Sequence, residues 1–343
     1  MKLLLAIFLL TALSAEDQQH RYIIWEDGKF GFMNQQGEEV IPPQFDNAGP
    51  FRDGLAPVQQ GDYWGYINKS GEWVIEPDRN LRHGFSDGLA RYQTDVDVEV
   101  PGFVRWIVGQ PTEKLYGFIN QDGKVTIRAE FDQALMFHEN RSRVKVGERY
   151  GFIDQSGHKI VEAEYDDARH FSEGVAAVKK AATFAYIPFR TRWGFIDPEG
   201  NYVIDSEYKN ARSFSEGLAA VRKDDKYGYI NRQGEMVIPE QFDQALEFSE
   251  GLALVHKDGE QGFINKDGEL LFSLPYPRIY DFSNGLARFY SGARWGFIDT
   301  DGTPVIPDDF DEATDYQNGL ARVRHGGTWK YIDTDGRTVW STD

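Results

Sequence analysis

Carboxylates are the groups whose type and spacing could do chemistry here. Asp299-Thr-Asp301-Gly302 and Asp333-Thr-Asp335-Gly336 open like a calcium loop. An EF-hand loop needs a further acidic ligand before its glycine and a glutamate at its end. Both are missing, and the same slot elsewhere reads NRQG or NQQG, so a turn explains every copy. Two carboxylates facing each other across a cleft could serve as acid and base in a glycosidase. The sequence singles out no such pair, because Asp166, Asp243 and Asp311 recur at one position of a repeat. The seven histidines (His20, His83, His138, His158, His170, His256 and His325) are scattered, and none forms H-E-x-x-H or another ligand spacing. A surface or rim position is the plainer reading for them. There is no cysteine, which removes thiolate metal sites, disulfides and a lipid-modified cysteine. No G-x-S-x-G elbow, Walker loop or dinucleotide fingerprint occurs. No catalytic, cofactor-binding or metal residue is assigned, and a non-enzymatic protein is expected.

Binding chemistry has better candidates. Two stretches combine aromatics with arginine: Phe103, Arg105 and Trp106 in one, Phe184, Tyr186, Phe189, Arg190 and Arg192 in the other. Trp, Tyr and Arg are enriched among residues that dominate binding energy. The plainer reading is two long hairpins that pack on their own scaffold, since loops vary in length without any partner.

The elements that must position these residues come from a repeat. Copies of (W/Y/F)-G-(F/Y)-I-(D/N) are marked by Gly31, Gly65, Gly117, Gly151, Gly194, Gly228, Gly262 and Gly296, with Lys330 in the glycine's place in a ninth. The spacings are 34, 52, 34, 43, 34, 34, 34 and 34 residues. A constant period in this range signals a solenoid, propeller or array with atypical end copies. Tetratricopeptide repeats share the period but need helical apolar spacing; several glycines per unit and turn signals about every ten residues point to short strands instead. The two aromatic–arginine stretches are the places where the period breaks, by 18 residues within 91–115 and by 9 within 179–192. Both fall in the same connection of the unit, so both are expected on one face.

Four strand positions are predicted per unit: a (FD-A, as in Gln241–Ala245), b (GLA-V), c (WGFID) and d (VI). The c–d connection reads (D/N)-x-x-G in all nine copies, which suits a type I turn leading into a left-handed residue. The a–b connection reads F-S-x-G in five copies. Short connections make neighbouring strands antiparallel. Strands such as Trp193–Asp197 are apolar on both faces and so must be covered on both, which one unit cannot do alone. The glycine beside the aromatic permits close backbone approach. The expected fold is all-β, with tandem antiparallel meanders of 34 residues arranged as a β-propeller. The alternative is an open β-solenoid, because both chain ends supply b-c-d. The predicted domain is a single one over 21–343, with an incomplete leader at 21–41 and eight full repeats over 45–340.

Trp64-Gly65, Trp193-Gly194 and Trp295-Gly296, each followed by an aromatic, isoleucine and Asp or Asn, together with Trp329, resemble the WG-repeat (KWG) family of bacterial proteins. The resemblance covers nearly the whole chain beyond its first residues. It implies a β-repeat architecture and binding or scaffolding, and brings no catalytic residue with it.

Residues 1–15, MKLLLAIFLLTALSA, have the lysine, apolar run and small residues of a secretory signal peptide, and the run is too short to span a bilayer comfortably. The protein is therefore expected in the periplasm or outside the cell, without a membrane span. Its net charge is −18, or −19 once Lys2 leaves with the signal. Such a surface repels nucleic acid. The function expected is an exported scaffold that binds a protein or an envelope component. A carbohydrate-binding or carbohydrate-processing propeller and a purely structural spacer are the alternatives.

Overall fold

The computed structural model describes residues 20–78, 80–97, 112–184 and 187–342, with backbone alone at Arg82 and 182–190. The signal-like residues 1–15 lie outside this range. Among the described residues every regular element is a strand, and the strands form nine antiparallel sheets, each built from consecutive strands. The first sheet has three strands, Tyr22–Glu26, Lys29–Met33 and Glu39–Phe45, and the other eight have four. This is the blade series of a β-propeller, one incomplete blade followed by eight full ones. In a solenoid, hydrogen bonding would run on from coil to coil, whereas here the ladders end at each sheet.

The blade of Asn210–Ala211, Ala219–Arg222, Tyr227–Ile230 and Met236–Phe242 shows the strand order a-b-c-d. The piece expected as one extended a strand is divided. Gln241 and Phe242 end the preceding d strand, and only Gln244–Ala245 pair in the next sheet. The chain changes sheets at Asp243, whose carboxylate accepts the Asp258 amide at 2.9 Å. The first copy runs on to Phe45 for the same reason, past the predicted end at Ile41.

The c–d turns form as the motif requires. Asn231 accepts the Gly234 amide at its backbone oxygen, while its Oδ1 takes the Gln233 and Glu235 amides, each at 3.0 Å. Gly234 has φ +79°, a conformation cheap only for glycine. The Asp or Asn of all nine copies caps its turn in this way.

The chain divides into two compact units, 1–147 with 152–159 and 148–151 with 160–343, and the division falls in the fourth sheet. In the first unit, rings of one c strand meet the a–b phenylalanine of the next sheet edge-on: Phe32 with Phe51, Tyr66 with Phe85 and Phe118 with Phe137, all at 4.8 Å. The second unit repeats this with Phe195 and Phe214 at 4.9 Å, Tyr229 and Phe248 at 5.0 Å, Phe263 and Phe282 at 4.8 Å, and Phe297 and Tyr316 at 4.9 Å. These rings are nearly all fully buried, each worth ~150–250 Å² of apolar surface. Polar stitches follow the same path. In the second unit Ser172, Ser215, Ser249 and Ser283 donate from Oγ to the aromatic carbonyl of the following blade at 2.7–2.8 Å. Within each unit, then, a blade is covered by the next, as strands apolar on both faces demand.

Candidate functional site

The two irregular hairpins form as extensions of their b and c strands. In the first unit Leu89–Asp97 pairs with Thr112–Asn120, out to Asp97 opposite Thr112. Phe103, Arg105 and Trp106 lie outside the described residues. In the second unit Val175–Phe184 pairs with Ile187–Ile196, out to Phe184 opposite Ile187. Ordinary pairing in a blade stops near Arg222 opposite Tyr227, so this ladder continues well past the usual edge. A register shift between Ala182 and Thr183 bends it. Phe189 and Arg190 are on the returning strand, Tyr186 lies outside the described residues, and the half-buried Arg192 donates to the Thr191 carbonyl at 2.9 Å.

The repeated acids are occupied by the scaffold. Asp243 pairs with Lys226 at 2.5 Å, and Asp166 with Arg149. Asp311 accepts the Gly326 amide at 2.9 Å beside Arg294. The Lys226 ammonium and then the Asp258 amide hold the Asp243 carboxyl below the usual range. Asp299 and Asp333, the calcium-like positions, use Oδ1 on their own turn amides. Among the described residues no three His, Asp or Glu side chains are grouped to hold a metal ion. The histidines serve locally: His158 lies 3.6 Å from Asp154, and His325 Nδ1 is 2.8 Å from the Asp309 carbonyl.

One acidic row stands apart. Glu247, Asp281 and Asp315 follow the a strand at the same register in three successive blades of the second unit, with Arg212 near Asp281. Protein crowding around Asp281 lowers its solvation although water still reaches the side chain. That effect, then Glu247 and Asp315, raises its pKa to about 6 against the pull of Arg212. Asp315 is neutralised by Arg288 at 2.6 Å. A carboxyl whose folded pKa is raised contributes stability below its unfolded value near pH 4, and that contribution is lost as pH rises through 6. Asp281→Asn is therefore expected to flatten the stability profile between pH 4 and 6. At pH 7.5 it should stabilise by on the order of 0.5 kcal/mol, the site being open to screening water. Denaturant titrations at pH 4, 6 and 7.5 measure this, and equal pH profiles for the two proteins would refute it.

Two clefts lie elsewhere in the second unit, on either side of one aberrant copy. One, of 490 Å³, is bounded by Phe242, Val255, Lys257, Gln261 and Leu270. The other, of 450 Å³, is bounded by His256, Glu260, Gln261, Pro275, Tyr276 and Pro277. Gln261 stands before Gly262, where the motif has an aromatic. The Gln261 side chain donates to the Tyr276 carbonyl and holds that edge in place. Leu270 and Leu271 on the neighbouring edge strand are 57% and 48% exposed.

Comparison with known proteins agrees with this architecture. The family model described as "WG containing repeat" matches eight times, over residues 30–64, 64–95, 116–150, 150–181, 193–227, 227–260, 262–292 and 295–329. No curated protein matches the sequence. Among solved structures, one described as that of the eukaryotic initiation factor is similar over 94% of this chain and 96% of its own, with TM-score 0.67 and 9% identity. AztD from Citrobacter koseri aligns over 95% of this chain and 94% of its own, with TM-score 0.42 and 10% identity. At such identity the first likeness is one of fold alone.

Proposed function

We propose that this chain, which belongs to the family of WG-containing repeats, is an exported, non-catalytic scaffold that binds a protein or cell-envelope component. The observation that carries the reading is the hairpin of Val175–Phe184 and Ile187–Ile196, a ladder prolonged beyond the edge every regular blade respects. Its strands carry Phe184, Phe189, Arg190 and Arg192, and the same connection is lengthened in the blade that contains Phe103, Arg105 and Trp106. Long loops on a rigid scaffold are where repeat proteins place specificity. The signal-like first 15 residues support a periplasmic or extracellular location. The recurring acids support the absence of catalysis, because each is bonded to the turn or cation that its repeat requires.

Removing residues 94–111 tests the reading. The variant should fold, since the shortened hairpin keeps the regular part of its ladder. Pull-down from periplasmic and culture-supernatant fractions should then recover a component with the wild type that the variant loses by about tenfold or more, the scale of losing a main contact. Identical partners for both proteins, or none for either, would count against it.

A further inference from the structure

The aberrant copy lacks three groups that four other copies supply together. In the neighbouring blade, Lys226 and Tyr227 open the c strand, with Lys226 paired to Asp243 at 2.5 Å and Tyr227 buried against the cluster that contains Phe242. The same trio recurs as Arg149, Tyr150 and Asp166, and as Arg294, Trp295 and Asp311. At the aberrant copy the three positions hold Glu260, Gln261 and Pro277, and Tyr276 takes the place of Phe242. The cation has become an anion, the ring is gone, and the anion has become proline. A 450 Å³ cleft opens there, within the size range of ligand sites.

The surviving walls are what the missing groups would have touched. Tyr276 is half-buried and stacks on Phe289 with ring centroids 4.1 Å apart, which fixes its orientation. Pro275 and Pro277 flank it and are exposed, and His256 lies opposite Gln261 across the ladder. Glu260 is exposed and pairs with no cation among the described residues. Lys257, its partner across the Asp258–Gly259 turn, sends its ammonium to Gln241 Oε1 at 2.9 Å instead. The cleft thus offers one free carboxylate beside an aromatic and proline wall, on a protein of net charge −18.

We infer that this cleft is a peptide-binding site that takes a basic residue followed by an aromatic one, the pair the repeat itself has lost here. The incoming cation meets Glu260. The incoming ring fills the space beside Tyr276 and Pro275, where burial and ring–ring contact contribute most. The overall negative potential of the protein draws such a segment in. The edge strand Leu270–Ser273 runs alongside, with two exposed leucines that an extended partner chain would cover. The site is independent of the two long hairpins and of export, so either can fail without the other.

Fluorescence anisotropy with the full chain tests the inference. The probes are labelled twelve-residue peptides carrying a central lysine–tyrosine pair, the same peptide with glutamate for lysine, and one with alanine for tyrosine. The lysine–tyrosine peptide should bind about tenfold or more tightly than either control, with an affinity that falls as salt rises. Gln261→Tyr restores the repeat's own ring and should abolish binding while the melting temperature holds or rises. Glu260→Lys, on the surface, should weaken binding with no change in melting temperature. No binding of the first peptide, equal binding of all three, or wild-type binding by both variants would overturn the inference.

Discussion

Replacing Trp193 with alanine is expected to lower the unfolding free energy by about 3–5 kcal/mol, the range for truncating a buried large aromatic. Trp193 is 6% exposed and belongs to a cluster with Val175, Ala177, Phe195, Tyr208 and Phe214. Arg169 lies over its ring, 5.2 Å from the centroid. Its backbone neighbours cannot move in to close the hole, because Lys179 and Tyr208 flank it in a paired three-strand ladder. The cost is therefore lost transfer energy together with an unrelaxed cavity. Urea titration of the full chain, followed by fluorescence and by circular dichroism, measures it. A transition that coincides with wild type would show that the ring is dispensable.

The second large effect is expected at Gly228, where alanine should cost about 3 kcal/mol through overpacking. A Cβ there would stand 2.5 Å from the Ile238 carbonyl oxygen, 2.8 Å from Met236 Sδ and 2.9 Å from the Glu240 nitrogen. Two of these are backbone atoms of the d strand. They are held over the glycine because the register slips between Tyr227 opposite Phe242 and Tyr229 opposite Ile238. The slip carries the chain toward the next sheet. Gly251 makes the control: φ is +81° and nothing lies within 4 Å of an added Cβ. Alanine there meets only the left-handed conformation, at roughly 1–2 kcal/mol. Equilibrium unfolding of both variants should rank Gly228→Ala as the more damaging, and the reverse order would refute the close-approach account.

Much of the fold was legible because each turn carries its own chemistry. Asp or Asn followed at the fourth place by glycine specifies a capped turn with its neighbours alone, and all nine turns form as read. The alternation that makes Trp193–Asp197 apolar on both faces required a covering blade, and the edge-on ring pairs provide it. The division of QFDQA between two sheets was not legible, since no local pattern distinguishes the last residue of one blade from the first of the next. The aberrant copy was partly visible. Residues 273–280, SLPYPRIY, carry prolines at 275 and 277 where other copies have an FD-A piece, whereas Gln261 is masked by the adjoining glycine, which keeps the period.

The sequence by itself determined the period, the strand order within each meander, the turn types and the need for neighbouring blades, because those properties depend on residues close along the chain. Only the tertiary structure decided which acids remain free to meet a ligand. Asp243 and Glu260 are equally acidic as letters. One is bound to Lys226, and the other borders a cleft left by a ring that is absent, a difference made by side chains some 17 residues apart. Charge and shape at a site are sums over residues the fold brings together, and the order of residues along one strand does not contain them.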